Sequence, residues 1–139
     1  MSNEATKPQI KPVEISGKKY QIPPITGRRA TLLDRKAMDI LIGMCGKGST
    51  KNEMVAYFCR AFASMDDADF DKIITESISG IVFCGGDTEK SFTFDSENVW
   101  EHFRGHIDDL YSLIIEAWEA YELTPFVKAQ TGAETKATP

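Results

Sequence analysis

His102 and His106 lie four residues apart, a spacing that on one helix puts two imidazoles on the same face, as helices do when they hold a metal ion. The metalloprotease pattern HExxH also needs a Glu directly after the first His to act as the base. Here the run is HFRGH, with Phe103 in that place, so metal-assisted hydrolysis fails on chemistry. A simple ion site could recruit Asp109 as a third ligand, but two exposed helical histidines without a complete donor set read as titrating groups and nothing more. Cys84 precedes Gly85 and Gly86, as a nucleophile at a tight turn would. Its neighbours are acidic and oppose a thiolate, so it reads as a buried strand thiol. Asp66, Asp67, Asp69 and Asp71 alternate like the start of a calcium loop, yet the positions that such a loop gives to Gly and Glu hold Asp71 and Ser77. Helix capping and solvation account for these carboxylates. Neither a P-loop nor a GxGxxG run is present. The expectation is a protein that is not an enzyme, with no catalytic residues, no metal and no cofactor.

The elements that carry these residues can be read from apolar spacing. Residues 1–12 are polar, contain two prolines and show no periodicity, which predicts a flexible arm. Val13, Ile15, Tyr20 and Ile22 alternate with polar residues around Ser16-Gly17, a hairpin that Pro23-Pro24 ends. From about Thr31 to Cys45, Leu33, Ala37, Ile40, Leu41 and Met44 recur at helical spacing, and Gly46-Lys47-Gly48 stops them. Thr50 and Glu53 form a capping box that opens a second helix to about Met65, with Val55, Phe58, Cys59 and Phe62 facing inward. A third helix begins among acidic residues, buries Phe70, Ile73, Ile74 and Ile78, and ends at Gly80. Residues 81–84 and 90–94 read as a second hairpin. Capped by Asp95 or Ser96, one long helix then carries Trp100, Phe103, Ile107, Leu110, Ile114, Ala117 and Tyr121 at alternating steps of three and four. At about 26 residues it would span about 39 Å, longer than the rest of the protein could cover, so some of its apolar surface should remain for another chain. Leu113, Ile115 and Trp118 widen the stripe. The fold class expected is α+β, mainly α-helical: an N-terminal β-hairpin, three helices, a second β-hairpin and a long C-terminal helix. Residues 13–123 form the domain, and 124–139 are a polar, flexible tail.

With 139 residues, 42% of them hydrophobic and 27% charged, the chain has ordinary globular proportions and room for one domain. No apolar run is long enough to cross a bilayer, and the start MSNEATKPQIKP has no secretory core, so neither a membrane nor export is expected. Cys45, Cys59 and Cys84 are odd in number and lack a CxxC pair, which points to reduced, mostly buried thiols. Charge is divided: residues 1–65 hold eleven Lys/Arg against five Asp/Glu, a net +6, whereas 66–122 hold three against fifteen, a net −12. The acidic half disfavours nucleic acid, and the basic pairs in the front half lack interleaved aromatics, so no nucleic-acid partner is expected. Opposite poles on one chain can instead steer head-to-tail self-association.

The order of elements, with KKYQIPPITGRRATLLDRKAMDIL near the start and ENVWEHFRGHIDDLYSLIIEAWEAYEL near the end, resembles tail assembly chaperones of long-tailed bacteriophages over about residues 13 to 127. The resemblance implies a small, mostly helical, acidic protein of the host cell cytoplasm that coats the tape-measure protein, keeps its helices from aggregating and recruits tail tube subunits. It implies no retention in the mature virion, self-association into open spirals, and in many members a longer frameshifted form. It carries over no catalytic residues. A long helical client needs spare apolar surface, for which Trp100, Tyr111, Trp118 and Phe126 are candidates. The charge split adds a contact between copies, with Arg28, Arg29, Arg35 and Lys36 of one meeting Asp108, Asp109, Glu116 and Glu119 of the next. Two other readings remain open: a structural tail or head-completion protein that stays in the virion, and an acidic, dimeric secretion chaperone.

Overall fold

The computed structural model describes residues 10–41, 50–86 and 88–126. Strands β1 (Lys11–Ile15) and β2 (Lys18–Ile22) form the first hairpin, in the register Val13 opposite Tyr20 and Ile15 opposite Lys18. Its two-residue turn needs positive φ at both positions, and Ser16 (51°) and Gly17 (81°) have it. A serine is an uncommon choice there. Its hydroxyl donates to Asp109 Oδ1 at 2.8 Å, which ties the turn to the start of the last helix. Strand β1 begins inside the stretch expected to be an arm.

Helix α1 (Gly27–Leu41) starts four residues before the predicted Thr31, because Gly27, Arg28, Arg29 and Ala30 add no large apolar residue for periodicity to detect. Leu33, Ala37 and Leu41, at i, i+4 and i+8, are buried; Ile40 is half-buried, and the predicted end at Met44 and Cys45 lies outside the described residues. Helix α2 (Lys51–Ala63) opens on the predicted capping box: Glu53 N donates to Thr50 Oγ1 at 3.1 Å, and Thr50 N donates to Glu53 Oε1 at 2.8 Å. Phe58 and Phe62 face inward as expected, but Cys59 is exposed. Each helical residue turns about 100° from the one before, which carries Cys59 off the buried line set by Phe58 and Phe62. Helix α3 (Asp67–Ile78) is capped by Asp66, whose Oδ1 accepts from Asp69 N at 2.8 Å. Gly80, at φ 95°, then turns the chain into the sheet.

Strands β3 (Val82–Phe83) and β4 (Phe92–Thr93) form the second hairpin. The two hairpins, read separately in the sequence, join through β2 and β3 into one antiparallel sheet of order β1-β2-β3-β4, with Cys84 N donating to Lys19 O at 2.9 Å. Gly85 is required between them: at φ 72°, a Cβ there would lie 2.7 Å from Glu89 O.

The long C-terminal helix expected from the sequence is two helices. Helix α4 (Asn98–His102) and helix α5 (Ile107–Ala120) are separated at Phe103-Arg104-Gly105-His106, where Gly105 has φ 79°. The cap position of the first is Glu97, whose side chain makes no capping bond, and not the expected Asp95 or Ser96, because the helix starts only at Asn98. Just ahead of it, Asp95 Oδ1 accepts from Glu97 N and Asn98 N, both at 2.8 Å. These two bonds hold its carboxyl below the usual range. The break has a packing cause. One straight helix would run past the core, whereas two shorter ones fold both apolar faces onto it. Helix α5, about 21 Å long, buries Leu110, Tyr111, Leu113, Ile114, Ile115, Ala117 and Trp118 against α2, α3 and β1. Trp118 is fully buried, edge-on to Phe58, and its indole N–H donates to Ser77 Oγ at 2.9 Å. Thr124 donates to both carboxylate oxygens of Asp34, at 2.9 and 2.7 Å, and so anchors the first residue of the expected tail to α1. Among the described residues, no helix is long and apolar enough to cross a membrane.

Candidate functional site

The helix break separates the two histidines, so they do not share a face. His106 is exposed and precedes α5. His102 is half-buried rather than exposed, with Phe83, Phe94 and Phe103 around it at ring-centroid distances of 4.6, 5.1 and 4.7 Å. Its Nε2 is hydrogen-bonded to the Tyr20 hydroxyl at 3.0 Å. Burial, helped by Lys18, lowers the imidazole pKa against the smaller opposing pull of Glu89 and Asp109. Burial, Asp109 and Glu89 raise that of Tyr20. A phenol held protonated beside an imidazole held neutral is the pairing in which the hydroxyl donates to Nε2. The pair therefore joins the sheet to α4. Asp109, the third ligand considered, is engaged with Ser16, and among the described residues no group of three His, Cys, Asp or Glu side chains could hold a metal.

The charged residues expected to meet a second copy are in part committed within the chain. Arg29 Nη2 donates to the carbonyls of Glu76 and Ser79, at 2.6 and 2.8 Å, and so closes the C-terminal end of α3, where a cation is favoured. Arg28 and Arg35 are exposed and Lys36 is half-buried; none of them makes an ion pair among the described residues. On the acidic side, Glu116 is held by Lys11, at 3.8 Å, and by Lys51. Lys18 reaches Glu89 at 3.5 Å. Lysines of the basic front half thus neutralise glutamates of the acidic back half inside one chain. Asp108 and Glu119 remain exposed.

The aromatic candidates separate in the same way. Trp118 and Tyr111, at 0% and 5% exposure, belong to the core, so their apolar area is covered by this chain's own α2 and α3. Phe126 is half-buried against that core. Trp100 alone of the four reaches the surface, at 36% exposure, with its indole N–H donating to Ser96 O at 2.8 Å. It stands on Phe70, ring centroids 6.0 Å apart. From there Phe62 and Tyr111 continue the contact inward, at 5.8 and 5.1 Å. Ile107, expected in the buried stripe, is 50% exposed one turn before Tyr111. Trp100 and Phe70 therefore form the outer end of one aromatic ridge that runs through Phe62 to Tyr111 in the core. Two features that depend on tertiary structure were missed by the sequence reading: Phe70 under Trp100, and the exposure of Ile107 after the break at Gly105. Gly105 inside an otherwise helical pattern was the available signal.

No curated protein and no solved structure matches this chain. A family model described as phage tail assembly chaperone protein, TAC, matches residues 16–133, most of the chain, and the protein therefore belongs to the phage tail assembly chaperone family.

Proposed function

We propose that this protein is a non-catalytic chaperone that binds the tape-measure protein in the host cytoplasm, keeps its apolar helices apart and helps recruit tail tube subunits, without remaining in the finished virion. The observation that carries this reading is the Trp100 surface: an indole at 36% exposure resting on Phe70 and backed by the core. Exposed aromatic area on a rigid base suits transient capture of an apolar helical segment. Self-association is part of the proposal, with its contact narrowed to Arg28, Arg35 and Lys36 of one copy and Asp108 and Glu119 of the next, since Arg29, Asp109 and Glu116 have partners at home.

Co-expression with the tape-measure protein of the same phage tests the reading. The expected result is a soluble complex that co-purifies, is lost with Trp100→Ala, and is absent from mature particles. A client that stays insoluble, with this protein found in virions, would move the assignment to a structural tail or head-completion role. For the contact between copies, Arg28→Glu with Arg35→Glu should remove the higher oligomers seen at low salt, and an unchanged sedimentation profile would refute it.

A further inference from the structure

The apolar surface at Trp100 has a negative rim. Asp66 and Asp67 lie four and three residues before Phe70, on its face of α3. Glu97 lies three residues before Trp100; all three carboxylates are exposed. The cations of these elements do not offset them. Lys72 is two residues from Phe70 and faces elsewhere on α3, while Arg104 is paired with Glu101 at 3.6 Å. Whatever covers Trp100 must therefore bring apolar area in the middle and positive charge at the margins.

We infer that this surface takes a basic amphipathic helix, whose apolar stripe covers Trp100 and Phe70 while flanking Lys or Arg residues meet Asp67 and Glu97. The inference rests on the chaperone reading and names the class of client segment. An added strand is disfavoured at the long edge of the sheet. In β1 the backbone of Val13 and Ile15 pairs with β2, leaving Pro12, which has no N–H, and Glu14 to face outward. Among the described residues, the basic helix α1 of a second copy does not supply that stripe, since its apolar line Leu33, Ala37 and Leu41 is buried in its own core.

Three fluorescein-labelled peptides test this on the full-length protein by anisotropy: a Leu/Lys helix with an apolar stripe, a Leu/Glu helix with the same stripe, and a Leu/Lys peptide of identical composition scrambled to remove the helical period. Trp118 is fully buried, so a shift in tryptophan emission on binding reports Trp100. The Leu/Lys helix should bind at least about tenfold more tightly than either control, since the controls lose charge pairing or stripe burial. Trp100→Ala should weaken it by about tenfold. Asp67→Asn with Glu97→Gln should weaken it by about threefold to tenfold and flatten its salt dependence. Neither of those carboxylates makes a side-chain hydrogen bond or ion pair among the described residues, so the fold is retained in that variant. Equal binding of the scrambled peptide, or indifference to both variants, would overturn the inference. Should the client still be rescued in a Trp100-dependent way while the peptides show no charge preference, the inference falls and the chaperone reading stands. Preferential binding of the Leu/Lys helix without client rescue gives the reverse.

Discussion

Replacing Gly105 by Ala separates a broken C-terminal helix from a continuous one by the sign of the effect. Glycine in the interior of a helix is less favourable than alanine by about 0.8–1.0 kcal/mol, so in one continuous helix from Ser96 to Tyr121 the substitution would stabilise the protein and raise its helicity. In the structure Gly105 has φ 79°, a left-handed conformation that costs a residue with a Cβ about 1–2 kcal/mol. A Cβ built there meets no atom within 4 Å, so sterics add nothing and the backbone term stands alone. Gly105→Ala should therefore destabilise by about 1–2 kcal/mol, and Gly105→Asn by less, because Asn tolerates this region better. Urea unfolding followed by circular dichroism at 222 nm measures both quantities. A higher midpoint together with a stronger helical signal would refute the break and restore the continuous helix.

Three other substitutions probe contacts that the sequence did not reveal. Arg29→Ala should cost about 1–2 kcal/mol through loss of its bonds to the Glu76 and Ser79 carbonyls, whereas Arg28→Ala, one residue away, should be near neutral in the same urea titration. Ser77→Ala leaves the buried Trp118 indole N–H without its acceptor and should lower stability by about 1–3 kcal/mol; a wild-type midpoint would show that this bond contributes nothing net. The depressed pKa of His102 sets a pH dependence. Below the ordinary histidine pKa of about 6.5 the unfolded chain binds the proton more readily than the fold does, so stability falls as pH drops from there through the folded-state value. His102→Gln should flatten that part of the profile in thermal unfolding between pH 7 and about pH 5, above the main carboxylate titrations. An equally steep loss in the variant would place the sensitivity elsewhere.

Local chemistry was legible wherever one segment decides the outcome alone. The Ser16-Gly17 turn, the Thr50/Glu53 capping box, the acidic start of α3 and the stop at Gly80 each depend on a few neighbouring residues, and each stands in the structure as the spacing implied. The α+β class and the order of elements follow from those signals. Tertiary packing decided what periodicity could not. The alternating three- and four-residue steps from Trp100 to Tyr121 suit one straight helix and two angled ones equally well, because a stripe records which residues are apolar and not how far the core extends to meet them. The same ambiguity hid the candidate surface: with no knowledge of the bend at Gly105, Trp118 and Trp100 look alike, yet the first fills the core opposite Phe58 and the second stands on Phe70 at the surface. Charge behaved likewise. Composition shows a basic half and an acidic half, but only the fold brings Lys11 and Lys51 to Glu116 and Arg29 to the end of α3, because ion pairing depends on distances between segments far apart in the chain.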